Sequence, residues 1–172
     1  IAGKTTLRNC PDISDVDCMC RILQKIGATV TKTGHEICVD ASGALQSRLP
    51  AEEVVRMRSS IVLTGALLGR LGQASFCDPG GCVIGKRPVD IHIAALQQMG
   101  AEIELEENGI HATCQKPHGA EIHLPFPSVG ATENVILLAV KAEGETILHG
   151  AAREPEVGEL CRFLRSAGAR IR

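Results

Sequence analysis

The residues best suited to chemistry lie in one irregular stretch, 72–88. It contains Asp78-Pro79-Gly80-Gly81-Cys82 and then Gly85-Lys86-Arg87-Pro88. Proline and paired glycines forbid a regular element there, so the stretch reads as a long loop, and long loops in compact domains tend to carry function. Cys82 sits among flexible glycines and is followed closely by Lys86 and Arg87. Cations near a thiol favour its thiolate and attract anionic substrates. The plainer alternative is a surface loop whose cysteine is incidental.

Arg87-Pro88-Val89-Asp90-Ile91-His92 opens the next helix. An arginine just before a helix N-terminus strengthens a place already suited to phosphate. Pro88 is ordinary in a first turn, and Asp90 there complements the helix dipole. His92 reads as a packing or solvated residue rather than a catalytic one. Arg58 stands beside Ser59 and Ser60 near the start of an apolar helix, where a guanidinium needs a partner. A carboxylate such as Glu52 or a ligand phosphate would each serve. Ser128-Val129-Gly130-Ala131-Thr132 is the counterpart one repeat later, a small-residue entry into a helix and a second anion-ready terminus.

Other constellations are weaker. Cys18-x-Cys20 has the wrong spacing for a zinc knuckle and lacks a second pair. Cys77 and Cys82 are no C-x-x-C, and Gly85-Lys86-Arg87 fails the phosphate-loop pattern at its last position. Arg153-Glu154-Pro155-Glu156 is a charged turn, either a solvated helix start or part of a binding rim. No metal and no cofactor is expected.

The elements that must position these residues repeat. The pattern L-x-x-x-G-A-x-(V/I) occurs at Leu23 to Val30, Leu96 to Ile103 and Leu164 to Ile171. Each copy ends an apolar-periodic helix with a glycine that accepts a left-handed cap, and a strand should follow. Turn-then-strand segments begin at Gly3, Gly72 and Gly144. The unit is strand, helix, hairpin, strand, second helix, with boundaries near 3–71, 72–143 and 144–172, the third cut short. Hairpins are expected at Thr33-Gly34 and at Asn108-Gly109. Second helices are expected over about 51–71, entered through Pro50, and about 131–142. The first is apolar all round and so should be buried. The fold class is α/β, with repeated strand-helix units closing around a pseudo-threefold axis. A plain two-layer α/β sandwich is the alternative.

The whole chain has 172 residues, enough for a core. Its net charge of −2 argues against a broad grip on nucleic acid or an anionic membrane. Its only aromatic residues, Phe76, Phe126 and Phe163, cannot form a base-stacking platform. Stretches free of Asp, Glu, Lys and Arg run to about 11 residues, short of the roughly 20 that a membrane-spanning helix requires. No signal peptide is visible, although the chain opens on Ile1. The eight cysteines read mostly as reduced thiols of a cytoplasmic protein.

Pro79-Gly80-Gly81-Cys82-x-Ile84-Gly85-x-Arg87-Pro88-Val89-Asp90-x-His92, Ser128-Val129-Gly130-Ala131-Thr132 and Ala151-Ala152-Arg153-Glu154-Pro155-Glu156 together resemble the UDP-N-acetylglucosamine 1-carboxyvinyltransferase family. The likeness runs over nearly the whole chain. Its long first motif separates this family from the shikimate-pathway enolpyruvyl transferases. The resemblance implies a fold of two similar domains, each an inside-out α/β barrel of three repeats with helices packed inside. The chain would be an incomplete first domain, lacking its opening segment, its closing hairpin and the whole second domain.

The implied reaction moves enolpyruvate from phosphoenolpyruvate to the 3-hydroxyl of UDP-N-acetylglucosamine and releases phosphate. It is the committed step of bacterial peptidoglycan synthesis. By resemblance, Cys82 is the proton donor to the methylene of phosphoenolpyruvate, the site of a covalent phospholactoyl adduct and the target of fosfomycin. Arg87 touches phosphate groups, and the run Arg87, Pro88, Val89, Asp90, Ile91 holds the uridine. Arg58 is a further sugar-nucleotide contact, and Ser128, Val129 and Gly130 line the diphosphate and ribose. Many members carry Lys-Val before Ser-Val-Gly, whereas Phe126-Pro127 stand here, which removes a lysine contact. This piece alone should be inactive, because the cleft forms between domains. A binding-only relative that holds a nucleotide sugar is the alternative.

Overall fold

The computed structural model describes residues 3–77, 89–106 and 109–172. The chain begins with β1 (Lys4–Leu7), α1 (Ser14–Lys25), β2 (Thr29–Thr33) and β3 (Glu36–Asp40). Next come α2 (Ala51–Val54), a 3-10 turn (Arg58–Val62) and α3 (Leu63–Leu71). The same order returns as β4 (Gln73–Cys77), α4 (Asp90–Gln98), β5 (Glu102–Glu106), β6 (Gly109–Thr113), a short β7 (Glu121–His123) and α5 (Val129–Ala139). It then starts again with β8 (Ile147–His149) and α6 (Pro155–Ser166).

The three outer helices end by one device. Gly27, Gly100 and Gly168 take φ of +108°, +93° and +99°. The amides of Ala28, Ala101 and Ala169 then donate back to the carbonyls of Leu23, Leu96 and Leu164 at 2.9, 3.1 and 2.9 Å. These are the bonds of a Schellman cap, and they explain why leucine, glycine and alanine recur at fixed spacing. The third cap is followed by no strand, since 169–172 are irregular.

Two antiparallel sheets form, in the orders β1-β3-β2 and β4-β6-β5. The first hairpin turns at Gly34 and His35, one residue later than expected, with Thr33 paired to Glu36. In the second, Glu106 pairs with Gly109, whereas Asn108 lies outside the described residues. The joints between successive units are parallel. Arg48 bridges to Ser75, with Ser75 N donating to Ser47 O and Leu49 N to Ser75 O at 2.8 Å. One unit later, β7 runs parallel to β8.

The expected single helix over 51–71 is broken. Met57 is extended (φ −133°, ψ 94°), which separates α2 from the 3-10 turn and α3. Ser59 and Ser60 are weak helix formers, and the β-branched pair Val54-Val55 precedes the break. One helical wheel therefore does not apply to the segment, and Val55 is 56% exposed while Val54 is buried. The break also sets Glu53 against α1. Its carboxylate, with only 5% of the side chain exposed, accepts from Arg21 Nε at 3.1 Å and Lys25 Nζ at 3.2 Å. Burial opposes its charge, but Arg21 and Lys25 prevail and hold its pKa down at about 2.

The second helices lie inside. α3 packs on α5, and α5 on α4. Around them a single cluster gathers Ile22, Ile26, Val54, Leu68, Leu96, Met99, Ile122, Val135 and Leu138. The backbones of α3 and α5 meet at Gly65, where an added Cβ would fall 2.3 Å from the Asn134 carbonyl oxygen. The seven described cysteines are all free thiols. Among the described residues no helix is long and apolar enough to cross a membrane.

Candidate functional site

The site is assembled from the entrances of three helical elements. Arg58 is the first residue of the 3-10 turn, Asp90 opens α4, and Val129 opens α5. Ser128 caps α5, its Oγ accepting from Ala131 N at 3.4 Å. The two amides before Ala131, on Val129 and Gly130, belong to a first turn that offers them no intrahelical acceptor. They are therefore available to an anion.

The entrances meet at His92, in the first turn of α4. Gly130 lies against the imidazole so closely that a Cβ there would come 2.9 Å from Cε1 and 3.4 Å from Nε2. The charge of Arg58 acts on the same ring, as does that of Asp90. Arg58 itself is half-buried. Glu52, the carboxylate considered for it, carries Lys25.

Behind His92 stands Asn134, fully buried on α5. Its Oδ1 accepts from Gly65 N at 2.7 Å, and its Nδ2 donates to Ile61 O at 3.1 Å. Those backbone partners fix which end of the amide faces which way. Nδ2 also lies 2.8 Å from His92 Nδ1, so that nitrogen accepts. The ring proton consequently sits on Nε2, the edge turned toward Gly130. Burial, and then the Arg58 cation, push the His92 pKa down to about 4, with Asp90 opposing weakly. The imidazole is neutral at pH 7, a fixed hydrogen-bond donor beside a guanidinium and a helix N-terminus. That combination suits a phosphate group.

Protonating His92 would cost it the Asn134 bond and add charge to a buried ring. An unfolded imidazole takes a proton near 6.5, this one near 4. Between those values the unfolded chain binds more protons, so stability is full above pH 6.5 and falls toward pH 4. The slope approaches about 1.4 kcal/mol per pH unit for one proton. Glu53 adds a loss in the same direction from 4.5 down to about 2. Glu133, raised by burial and by Glu156, works in the opposite sense just above 4.5. Urea denaturation at stepped pH should show a slope between 6.5 and 5 that His92→Gln flattens by close to one proton. An unchanged slope would assign it elsewhere.

Of the residues singled out in the sequence, Arg58, Asp90 and Gly130 gather around His92, with Ser128, Val129 and Val89 at the adjoining helix ends. Ile91 belongs to the hydrophobic core, so only its backbone can serve a ligand. Cys82, Arg87 and Pro88 lie outside the described residues. Phe126 is exposed, and Pro127 borders a shallow hollow with His149, Arg153 and Glu154. His92 read as a packing or solvated residue, and it is packed. Asn134 drew no attention, although an asparagine beside the apolar run Val135-Ile136-Leu137-Leu138 is a recognisable signal.

Comparison with known proteins sets this geometry in a family. Residues 1–172 match the profile of EPSP synthase (3-phosphoshikimate 1-carboxyvinyltransferase). UDP-N-acetylglucosamine 1-carboxyvinyltransferase 2 of Caldanaerobacter subterraneus subsp. tengcongensis is 46% identical over 169 residues, which cover 98% of this chain and 40% of that protein. UDP-N-acetylglucosamine 1-carboxyvinyltransferase of Lawsonia intracellularis is 45% identical, with the same coverage. The chain therefore spans about 40% of the length of these curated relatives. Among solved structures, the enolpyruvyl transferase NikO from Streptomyces tendae matches with a TM-score of 0.86 at 24% identity, over 99% of this chain and 40% of that one. EPSP synthase from Acinetobacter baumannii matches at 0.73 and 21%, with the same coverage. The fold is thus that of an enolpyruvyl transferase domain.

Proposed function

The chain belongs to the EPSP synthase (3-phosphoshikimate 1-carboxyvinyltransferase) family, and from that premise we propose that it supplies the thiol-bearing half of a UDP-N-acetylglucosamine 1-carboxyvinyltransferase. The activity is that of a polypeptide that also carries the rest of the relatives' length. The repeat boundaries near 71 and 143, and the placing of 1–172 in a first domain, are parts of the same reading. So is a cytoplasmic location, where both substrates are small, soluble and anionic.

The reaction forms a bond from the sugar 3-oxygen to C2 of phosphoenolpyruvate and breaks the bond from C2 to the phosphate oxygen. Cys82 gives its proton to the methylene carbon, which makes C2 electrophilic toward the hydroxyl. The hydroxyl proton leaves with the phosphate, and loss of a methyl proton, which replaces the one Cys82 gave, restores the vinyl group. A glycine-flanked loop can bring the thiol to that carbon and exclude water. Arg87 meets phosphate, and Val89 to Ile91 border the uridine with Pro88. Arg58, the α5 entrance and the neutral His92 donor hold the diphosphate and sugar. Fosfomycin, whose epoxide a thiolate opens, would alkylate Cys82.

One observation carries the reading. Arg58, Asp90 and Gly130, far apart in sequence, converge on one imidazole whose Cε1–Nε2 edge lies against a helix N-terminus. An anionic nucleotide needs such a cluster, and a purely structural α/β domain does not. Arg87→Ala in the complete enzyme is expected to weaken sugar-nucleotide or phosphoenolpyruvate binding about ten- to hundred-fold by calorimetry. Unchanged affinity for both substrates would refute the assignment. A nucleotide-sugar-binding relative without catalysis is the second reading. It keeps the Arg87 run yet needs no reactive thiol, and resistance of Cys82 to fosfomycin without any turnover would favour it.

A further inference from the structure

At the parallel joint of β7 and β8, the geometry points to a surface site for a divalent transition cation of the zinc class, held by Glu121, His123 and His149. Glu121 and His123 alternate onto one face of β7, and His149 is the direct partner of His123 on β8. One ligand atom from each residue lies within 4.8 Å of the other two. His149 Nε2 stands 3.0 Å from Glu121 Oε1, and His123 Nε2 stands 3.8 Å from the same oxygen. Ligands at 2.0–2.1 Å in a tetrahedral zinc site are separated by roughly 3.3 Å, between those two distances.

The donor set selects the ion. Two imidazoles and one carboxylate suit zinc and its neighbours, whereas magnesium and calcium require mostly oxygen. All three side chains are exposed, so an ion can reach them. The imidazoles now lie stacked, with centroids 4.2 Å apart and planes 7° from parallel. To share an ion their lone pairs must converge, and exposed rings can turn about χ2 to do so. On binding, the ion takes the place of the proton between His149 Nε2 and Glu121 Oε1, and the neutral ring carries its proton on Nδ1 instead. A fourth position remains for water.

The consequence is a staple. β7 and β8 are three-residue strands forming a two-stranded sheet, a marginal arrangement by itself. Beyond the ladder they are tied by Ile147 N to Ala120 O and by Leu124 N to His149 O. An ion bridging the two strands would fix 147–149 to the preceding unit.

The test must separate this site from the cysteines. Zinc is titrated into the protein at pH 7.5 while the imidazole resonances of its six histidines are followed. Those of His123 and His149 should shift together and saturate at one equivalent, with slowed hydrogen exchange at Ile147 and Leu124. His149→Ala and Glu121→Gln, both surface changes, should each weaken binding about tenfold or more. Cobalt in place of zinc should show no strong thiolate charge-transfer band at that equivalent. Zinc uptake without movement of these two resonances would overturn the site. Undiminished uptake by His149→Ala would do the same.

Discussion

Turnover by the complete enzyme is expected to fall by two to four orders of magnitude when Cys82 becomes serine, with sugar-nucleotide binding retained. That range is about what a positioned general acid contributes. A thiol with an ordinary pKa near 8.5 can give a proton to a vinyl carbon, and cations as close in sequence as Lys86 and Arg87 would favour its conjugate base. A serine hydroxyl is too weak an acid to follow, and its oxygen does not form the phospholactoyl thioether analogue. Cys82→Asp separates the two roles. A carboxyl also donates a proton, so this variant should recover activity beyond the serine variant while losing alkylation by fosfomycin. The checks are steady-state phosphate release and intact mass after exposure to the drug. A serine variant within a few-fold of the parent rate would remove Cys82 from the chemistry.

The second large effect is on folding. Asn134→Ala is expected to cost about 3–5 kcal/mol, read as a lowered urea midpoint with an unchanged slope. The substitution strands a backbone donor at Gly65, a backbone acceptor at Ile61 and the acceptor nitrogen of His92. Gly65 lies where the α3 and α5 backbones are too close to admit a Cβ, and Asn134 itself is fully buried. Asn134→Asp should do comparable damage by another route. An ionised aspartate accepts from Gly65 but has no hydrogen for Ile61 or for His92. A loss below about 1 kcal/mol for the alanine variant would mean that the inner helices hold their register by apolar packing alone.

Local devices were legible in the sequence, and long-range ones were not. The leucine-glycine-alanine pattern specifies a Schellman cap through atoms at most five residues apart, and all three copies form it. Strand starts after Gly3, Gly72 and Gly144 were equally plain. The break at Met57 escaped notice because an apolar composition reports burial and says little about direction. Once the axis bends, Val55 can be exposed beside buried Val54. Asn134 escaped for a stronger reason: its bonds reach Gly65, Ile61 and His92, 69, 73 and 42 residues away. No window of sequence contains such a network. Similarly, the pairing of His123 with His149 depends on the parallel register of β7 and β8. The loop around Cys82 and Arg87 was legible as a candidate from its glycines, thiol and cations, and the specific role of each residue came from the resemblance.

The parallel joints between neighbouring units have a bearing on biosynthesis. In each, the segment leaving one unit is completed by the first strand of the next, as Ser47 to Leu49 are by Ser75 and β7 is by β8. Partners so near in sequence emerge from a ribosome within moments of one another. Each clasp can therefore close once about 30 more residues have appeared, without waiting for more distant chain. The order of translation would then be the order of assembly, and a pause placed just before Gln73 or Ile147 would leave an open strand edge exposed to misassociation.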